Sequence, residues 1–550
     1  MPATTTYALT GNPYIDGILG DWKWAVKNFT FSFPTSASFY GHDYGYSEPL
    51  KGFAAFNAAQ KIAARAAFDQ FSSVANVTFT EITESATSHA DLRLASSDAP
   101  STAWAYFPTT AAEGGDAWFN TSSGYYSAPR KGNYAYMTFL HEIGHALGLE
   151  HAHEGNVMPA NRDSMEYTVM SYRSYVGGST TTGYTNETWG YAQSLMMYDI
   201  AALQHMYGAD FTTQSENTTY RWSHTTGEMS INGVGQGAPG GNKILLTVWD
   251  GGGIDTYDFS NYATALKVDL RPGEWTTTSA QLAKLRYDGS KVAVGNIANA
   301  LQYKGDARSL IENAKGGAGN DTITGNNAAN VLWGNAGKDT LSGGNGNDNL
   351  VGGAGGDRLD GGNGSDLANY SNAAAGVVAD LHSPGVNRGD AAGDTYVSIE
   401  RLYGSAFADS LRGNNAANLL NGLAGNDVLY GRGGNDTLIG GNGADRLVGG
   451  SGADTFVFQA TTQSLPSARD IIDDFASGVD RIDLRSIDAN SNVGGDQAFQ
   501  FIGGSAFHGK AGELNFRSGV ISGDTNGDGL ADFQVRALNV SVLSGGDFLL

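Results

Sequence analysis

The sequence has no cysteine, few prolines and no long apolar run, and each absence excludes a class of protein. Without cysteine there is no disulfide framework, no thiolate zinc site and no cysteine nucleophile. With 12 prolines against 77 glycines, the glycine does not belong to a collagen-like repeat. Because no stretch reaches about 18 consecutive apolar residues, we expect no membrane-spanning helix.

Basic residues are also scarce, 33 against 56 acidic ones, which gives a formal net charge of -23. So acidic a surface argues against nucleic acids and anionic membranes as partners, and it suits a protein whose carboxylates bind cations. The N-terminal segment MPATTTYALTGNPYIDG lacks the basic and apolar stretches of a secretory signal peptide. A length of 550 residues predicts several domains.

The first part of the chain has the apolar spacing of a mixed α/β domain. Helical periodicity predicts helices over 53–71, 137–149 and 195–207. Residues 77–82 and 90–95 have the composition of strands.

Residues 137–149 and the turn after them contain three histidines, in the sequence HEIGHALGLEH. On a helix, His141 and His145 lie one turn apart on one face and can share a metal ion. Gly148 can adopt the positive φ that ends a helix, so that the chain turns back and supplies His151 as a third ligand. Three histidines leave one zinc coordination position open, as a catalytic site requires.

Glu142 directly follows the first of these histidines, which places a carboxylate beside the metal rather than on it. Such a carboxylate can act as a general base in hydrolysis. His153 is an alternative third ligand, although the spacing of the motif favours His151. His205, in the third predicted helix, is interpreted as structural.

This motif matches the H-E-x-x-H-x-x-G-x-x-H pattern of metzincin zinc peptidases, and the chain resembles their serralysin branch. Met170, in VMSYR, corresponds to the Met-turn, a hydrophobic floor beneath the zinc. TGN at 10–12, GDAWFN at 115–120 and DIAALQHMYGA at 199–209 are further serralysin-like stretches. The connection between His151 and Met170 is short for the family. The wall of the substrate cleft that it forms is therefore not expected to keep the family's usual shape.

The resemblance implies a metalloendopeptidase with one catalytic zinc ion, acting on protein or peptide substrates. Hydrolysis would use metal-activated water, with Glu142 as general base. The resemblance further implies that Tyr172 ligates zinc at rest, together with the three histidines, and stabilises the oxyanion during turnover. The chain is expected to act as a monomer, and a small protein inhibitor is a further partner that the resemblance suggests.

Beyond the first domain, two blocks of a nine-residue period follow the pattern G-G-x-G-x-D-x-U-x of calcium-binding β-rolls. Carbonyl and carboxylate oxygens of such turns are calcium ligands. A solvated series of Gly/Asp turns without metal is the simpler alternative. Position 6 is aspartate in ten units, namely Asp321, Asp339, Asp348, Asp357, Asp366, Asp409, Asp427, Asp436, Asp445 and Asp454. In the two other units, position 6 is Asn330 or Asn418.

Two further segments have the composition of calcium loops. Asp250, Gly252 and Asp255, in WDGGGID, resemble a family calcium site upstream of the repeats. GDTNGDGLADF, at 523–533, has acidic residues at calcium-loop spacing, but Val535 at the twelfth position excludes an EF-hand. For this second segment, calcium binding and a simple Asx-rich turn both remain open.

The predicted fold is an α+β metzincin catalytic domain over 1–215, followed by an all-β parallel β-roll. A transition segment of short strands covers 216–315, and the repeats cover 316–457 with an interruption at 370–403. Residues 458–550 are expected to form a β-sandwich-like C-terminal part.

The end of the chain, DFLL at 547–550, resembles the C-terminal export signal of the family, and a simple final strand is the less favoured alternative. A chain that needs calcium to fold is stable where calcium is abundant, outside the cell. We therefore expect one-step secretion through an ABC-type exporter and an extracellular location. With nine residues before Thr10, we expect calcium rather than a long prosegment to control activity.

An alternative function is a calcium-dependent surface or adhesion protein with a vestigial peptidase domain. The presence of His141, Glu142, His145, His151 and Tyr172 favours the enzyme, because a decayed peptidase typically loses its general base. An enzyme restricted to one specific protein substrate is a third interpretation.

Overall fold

The computed structural model describes residues 1–41, 43–278 and 280–550, which form two compact units. The first unit comprises Met1–Tyr262 and Leu266–Asn313, and the second comprises Ala263–Ala265 and Ala314–Leu550. No helix in these described ranges is long and apolar enough to cross a membrane.

The described part of the first unit contains four α-helices, α1 to α4. They span Pro13–Asp16, Ala58–Val74, Tyr134–Leu147 and Met197–Tyr207. Helix α2 begins later than the predicted 53–71 because Asn57 and Gln60 form a capping box. Helix α3 ends as its sequence predicts, at Gly148 with a φ of 106°.

A five-stranded sheet lies beside these helices. In spatial order its strands are Thr78–Glu81, Asn28–Ser32, Leu92–Ser97, Ala117–Asn120 and Ala103–Ala105. The first four are mutually parallel, and the edge strand Ala103–Ala105 is antiparallel to its neighbour.

Helix α3 is buried on every side, and most of its side chains are apolar. Its Phe139 stacks on Phe119 of the sheet with ring centroids 4.3 Å apart. Phe68 of α2 packs on Phe31, with centroids 4.4 Å apart. This apolar packing fixes the helix that carries the histidine motif.

The remaining strands of the first unit are short. They are Thr4–Thr5, Lys23–Trp24, Thr219–Trp222, Met229–Ile231, Val234–Gly235, Leu246–Val248, Thr256–Asp258, Lys267–Asp269, Trp275–Thr276 and Ile297–Asn299. Asn313–Lys315 begins in this unit and ends in the second. Single 3-10 turns lie at Ala37–Phe39, Glu48–Leu50, Tyr125–Ser127, Tyr303–Gly305 and Ala307–Ser309.

The second unit is built almost entirely of short parallel strands that pair with a register shift of 18 residues. Thr322 pairs with Thr340, and Val331 with Asn349. Consecutive nine-residue units therefore alternate between two sheets. The apolar residue at position 8 of every unit is fully buried, at Ile323, Leu332, Leu341, Leu350, Leu359, Ala368, Leu411, Leu420, Leu429, Leu438, Leu447 and Phe456.

One sheet runs the length of this unit. The strands of this sheet that follow Asn313–Lys315 are Val331–Ala336, Asn349–Ala354, Leu367–Asn369, Arg401–Tyr403, Leu419–Asn421, Thr437–Ile439, Thr455–Val457, Arg481–Asp483 and Phe548–Leu549. A second sheet includes Thr322–Thr324, Thr340–Asn345, Arg358–Asn363 and Thr395–Val397.

A third sheet joins later repeats to strands near the C-terminus. It comprises Val378–Asp380, Ser410–Arg412, Val428–Gly433, Arg446–Ser451, Asp470–Ile472, Phe533–Ala537, Val520–Asp524, Glu513–Arg517 and Gln500–Phe501. Single 3-10 turns lie at Pro384–Val386, Gly389–Ala391, Thr461–Gln463 and Gly545–Asp547.

Candidate metal centre

Helix α3 and the turn after it bring three imidazole nitrogens to one point. The Nε2 atoms of His141 and His145 are 3.1 Å apart, those of His141 and His151 are 3.2 Å apart, and those of His145 and His151 are 2.9 Å apart. Four ligands around zinc at about 2.1 Å would be separated by about 3.4 Å, close to these distances.

The second nitrogen of each ring is held by an oxygen acceptor. His141 Nδ1 is 2.7 Å from the carbonyl of Val169, and His145 Nδ1 is 2.7 Å from the carbonyl of Leu149. His151 Nδ1 is 3.0 Å from Glu154 Oε2. A carbonyl only accepts, so the Nδ1 atoms of His141 and His145 carry the protons and donate them.

This arrangement fits a cation. With the protons on Nδ1, the converging Nε2 atoms present lone pairs to one another, which is repulsive without a positive ion between them. Burial lowers the pKa of His141 to about 3 and that of His145 well below its usual value, so these rings are neutral and could act as metal ligands. Acceptors behind metal-ligating histidines fix ring orientation in the same way.

Glu142, next to His141 in the chain, is buried, with 4% of the residue exposed. Its Oε2 atom has no hydrogen-bond partner among the described residues. Burial raises the pKa of this carboxyl group to about 8. A carboxylate with a buried, unpaired oxygen is suited to take up a proton, as a general base must.

Tyr172 lies against the histidines. Its ring centroid is 4.4 Å from that of His151 and 5.7 Å from that of His141. Burial, with a further contribution from the charge of Glu142, raises the pKa of Tyr172 above its usual range. The hydroxyl group therefore stays protonated and available as a donor.

His153 does not join the three converging nitrogens. Its ring stacks on His151 with centroids 5.5 Å apart. Its only grouping with other metal-binding side chains in the described chain is with His151 and Glu154. The geometry thus favours His151 over His153 as the third ligand. The Nε2 atom of His205 lies 2.6 Å from the carbonyl oxygen of Ala8, so this ring contacts a different part of the chain.

Met170 is fully buried and contacts the helix that carries the first two histidines. A Cβ atom added at Gly144 would lie 2.9 Å from Met170 Sδ. The glycine between His141 and His145 therefore makes room for the methionine, which fits the role of a hydrophobic floor.

Asp199, on α4, is a residue of the site that motif analysis did not assign. It is fully buried and accepts the backbone N–H groups of Val169 and Met196, at 2.9 and 2.8 Å. Its other oxygen accepts the hydroxyl group of Thr168. Because the Val169 carbonyl accepts from His141, Asp199 holds the loop that orients this ring.

The aspartates of the repeats form rows in the second unit. Within each block, the backbone N–H of a position-6 residue donates to Oδ1 of the aspartate 18 residues later, as from Asp339 to Asp357 at 2.8 Å. The last two members of each block donate instead to an acidic side chain beyond the block. Among the described residues, no hydrogen-bond partner reaches the buried Oδ2 atom of Asp339, Asp348, Asp357, Asp366, Asp427, Asp436, Asp445 and Asp454. Asp321 and Asp409, the first of each block, instead accept a backbone N–H at Oδ2, from Gly317 and Ser405 respectively.

Upstream of the repeats, Asp250 and Asp255 form a buried acidic pair. Asp250 accepts from Tyr220 at 2.7 Å and from the backbone N–H of Gly252 at 2.8 Å. Asp255 Oδ2 is buried without a hydrogen-bond partner in the described chain. Burial raises the pKa values of both carboxyl groups, and the charge of Asp250 raises that of Asp255 further.

The acidic loop at 523–533 satisfies its carboxylates internally. Asp524 accepts the backbone N–H groups of Gly527 and Gly529, at 2.6 and 2.9 Å. Asp532 accepts the N–H and hydroxyl groups of Thr525, both at 2.8 Å. These contacts are those of an Asx-rich turn and favour that interpretation over a calcium site.

Comparison with known families agrees with the geometry. The family model described as Peptidase M10 serralysin C terminal matches residues 209–382 and 410–541. The model described as Matrixin matches residues 51–170, which include the histidine motif and Met170.

Individual relatives are similar over a little more than half of the chain. Metallopeptidase AprA of Pseudomonas marginalis is 35% identical over 319 residues, which cover 56% of this chain and 61% of that protein. Serralysin of Photorhabdus sp. (strain Az29) is 34% identical over 332 residues, with coverages of 56% and 61%. Serralysin of Proteus mirabilis is 32% identical over 331 residues, with coverages of 55% and 60%.

The chain therefore spans about three fifths of the length of these relatives. The family model for the serralysin C terminal matches more than half of the chain. The Matrixin model matches the part that holds the three converging histidines. The chain belongs to the serralysin-type metzincins of peptidase family M10.

Proposed function

We propose that this chain is a secreted, zinc-dependent endopeptidase carried on a calcium-loaded parallel β-roll. The observation that carries the proposal is the convergence of three Nε2 atoms within 3.2 Å of one another. Zinc held by His141, His145 and His151 would supply a Lewis acid that polarises the scissile carbonyl.

The chain's own residues would perform the proton transfers. Glu142 would accept the proton of the attacking water through its unpaired oxygen and pass it to the leaving amine. Tyr172 would be a fourth ligand at rest and would donate its protonated hydroxyl group to the developing oxyanion. The His141 and His151 rings lie beside Tyr172, and this proximity supports the proposed role.

An extended peptide is the substrate that the fold accommodates best. The strand Ala103–Ala105 is the edge of its sheet, and an extended chain can add to such an edge through backbone hydrogen bonds. Two residues further on, the Phe107 ring lies 5.1 Å from the His145 ring. A peptide paired with this edge would pass directly beside the three histidines.

Calcium is proposed to occupy the aspartate rows and the Asp250–Asp255 pair, with the Gly252 backbone as a further ligand. Eight repeat aspartates have a buried oxygen without a hydrogen-bond partner in the described chain, and such groups are costly unless they bind a cation. Calcium prefers this combination of carboxylate and carbonyl oxygens. Stacked in rows, the same carboxylates would repel one another without an ion.

Extracellular action follows from this dependence on calcium. Binding to the folded chain alone stabilises it where calcium is abundant. In the folded chain Asp547 is fully buried, and Phe548–Leu549 pairs with Arg481–Asp483. An ABC-type exporter could therefore recognise the segment 547–550 only before folding, and this supports secretion of the unfolded chain. A small protein inhibitor remains a proposed partner.

A casein digestion assay with metal counting tests this proposal. The full chain, refolded with zinc and calcium, should digest casein, contain one zinc and several calcium ions, and lose activity in a zinc chelator. Bound calcium and zinc without digestion of casein or other proteins would contradict the peptidase function and favour the adhesion alternative.

A further inference from the structure

A cavity of about 430 Å³ lies within the first unit, apart from the candidate metal centre. Residues of α2 form one of its walls, and the strand Met229–Ile231 contributes to another. None of the five residues that the proposed peptidase function uses lines it. Its volume falls within the range of roughly 300 to 1,000 Å³ that is typical of small-molecule sites.

Apolar side chains line much of this cavity. They belong to Val74, Ile200, Met229, Ile231, Leu246 and Trp249. Met229 and Ile231 are only half-buried, so part of their surface remains open to a ligand. An apolar group that enters the cavity would therefore remove further apolar surface from water, which favours binding.

Lys131 places a positive charge on the wall of the cavity. Its Nζ atom donates to the carbonyl of Gln236 at 2.6 Å, and this is its one hydrogen bond among the described residues. Burial lowers the pKa of Lys131, and the charge of Glu228 offsets part of this effect without forming an ion pair in the described chain. Because an ammonium group has three donors, two remain for an anionic ligand.

Asp69, on α2, is the one other charged residue of this wall in the described chain. It is exposed and also lines a neighbouring cavity of about 360 Å³, which places it at the rim. Its carboxylate makes no hydrogen bond or ion pair with the described residues, although burial still raises its pKa. The rim thus offers an unpaired negative charge to a cationic group.

Neighbouring polar groups of the wall are paired within the protein. The side-chain amide of Gln70 donates to the hydroxyl group of Tyr136 at 2.7 Å, and its oxygen accepts the backbone N–H of Leu195 at 3.1 Å. The hydroxyl group of Ser194 donates to the carbonyl of Leu195 at 2.7 Å. Lys131 and Asp69 are therefore the wall residues that most need a partner from a ligand.

We propose that this cavity binds short apolar peptides with free termini, the carboxylate at Lys131 and the ammonium group at Asp69. A peptide supplies both charges and the apolar side chains between them, whereas a fatty acid would leave Asp69 unpaired. Such peptides are the products of the proposed endopeptidase, and the inference rests on that function for the source of the ligand.

A bound peptide would contact the three helices that support the candidate metal centre. Besides α2, the wall includes Tyr136 of α3 and Ile200 of α4. Helix α3 carries the first two histidines, and α4 carries Asp199, which holds the loop behind His141. Binding to the folded chain alone would therefore stabilise the packing on which the metal centre depends.

Titration calorimetry on the full-length Glu142→Gln chain, refolded with zinc and calcium, tests the inference without cleavage of the probe. The dipeptide Leu-Leu should bind, and its C-terminal amide should bind about 10-fold more weakly or worse, because a charged hydrogen bond is lost. Adding Lys131→Met should weaken Leu-Leu binding to a similar extent. Lys27→Met, at an exposed lysine outside the cavity, is the matched control and should leave it unchanged.

Three results of this titration would overturn the inference. They are no binding of Leu-Leu, equal affinities for Leu-Leu and its amide, and tighter binding of octanoate than of Leu-Leu. The casein assay separates the two proposals, because it uses the active chain. Digestion without dipeptide binding would overturn this inference alone, whereas dipeptide binding without digestion would overturn the proposed peptidase function.

A crystal experiment locates the ligand and covers the case in which Lys131→Met fails to fold. Crystals of the Glu142→Gln chain soaked with 4-bromophenylalanyl-leucine should show an anomalous bromine peak between α2 and Met229–Ile231. A bromine peak only beside the three histidines would overturn the inference.

Discussion

Asp199 Oδ2 accepts the backbone N–H of Val169 at 2.9 Å, and the carbonyl of the same Val169 accepts from His141 Nδ1 at 2.7 Å. A buried carboxylate on α4 is thus two hydrogen bonds away from a proposed zinc ligand. This link makes the orientation of the first histidine depend on a residue far along the chain.

Asp199→Ala should lower the free energy of unfolding by about 3 kcal/mol or more, because it leaves the N–H groups of Val169 and Met196 buried without an acceptor. Zinc affinity should fall as well, since the carbonyl behind His141 is no longer fixed. Asp199→Asn, which keeps an acceptor oxygen, should cost less. Urea unfolding and competition with a zinc chelator measure both effects, and equal losses in the two variants would count against the link.

Glu142→Gln should reduce kcat by about 100- to 10,000-fold, because the amide cannot take up the proton that the carboxylate accepts. Zinc content should remain at one ion per chain, since Glu142 is not a ligand. Glu81→Gln, which alters only an exposed ion pair with Arg65, is the matched control and should keep full activity. The idea fails if Glu142→Gln retains substantial turnover.

Tyr172→Phe should lower kcat by about 100-fold or more with little change in KM, as expected when one oxyanion donor is lost. The phenylalanine ring can keep the packing against His151 and His141. Tyr125→Phe, at a site 70% exposed, serves as the control. Steady-state kinetics on a peptide substrate distinguish the roles, because a purely structural tyrosine would affect stability and leave kcat unchanged.

Gly443→Ala should prevent stable folding of the repeats at calcium concentrations that suffice for the wild type. A Cβ atom at this position would lie 1.5 Å from the carbonyl oxygen of Gly425, and its φ of 154° disfavours any side chain. Gly494→Ala is the control, because a Cβ atom there meets nothing within 4 Å. Calcium titrations followed by circular dichroism should show a displaced midpoint or no transition for Gly443→Ala only.

Without calcium, the stability of the second unit should fall as pH rises from about 4 to about 8. Burial raises the pKa of Asp427 to about 8 and that of Asp339 to about 7, above the value of about 3.9 in an unfolded chain. In this window the folded chain binds more protons than the unfolded chain, so stability decreases with rising pH. Calcium should remove this decrease, because it binds the ionised carboxylates.

Thermal melts in a chelator and in excess calcium, each at about pH 5 and about pH 8, measure this dependence. The melting temperature in the chelator should be lower at the higher pH, and calcium should give its largest increase there. A chelated chain that melts at a higher temperature at the higher pH would contradict the proposed carboxylate rows.

Much of the candidate zinc site could be predicted from the sequence because its residues are close in the chain. His141 and His145 are one helical turn apart, and Gly148 ends the helix so that His151 can return. The repeats can also be predicted from the sequence, since a strict period of nine places one buried apolar residue in every unit and an aspartate in ten of the twelve.

Other features depend on contacts between distant segments and have no local pattern. Asp199 accepts a hydrogen bond from the backbone N–H of Val169, 30 residues earlier in the chain. The sequence around Asp199 does not show which backbone group its side chain contacts. Asp470 accepts the backbone N–H of Asp445 from 25 residues further along the chain, so the nine-residue period does not predict this contact. The apolar spacing that includes Phe53 and Phe56 predicts too early a start for α2. The helix begins after Asn57 because this residue and Gln60 form a capping box.

The most direct test of the account is the location of zinc in crystals of the full chain, from anomalous differences measured at the zinc absorption edge. We predict one strong peak about 2.1 Å from the Nε2 atoms of His141, His145 and His151. A peak between His151, His153 and Glu154 instead, or no peak near α3 in crystals grown with zinc, would contradict the proposed centre.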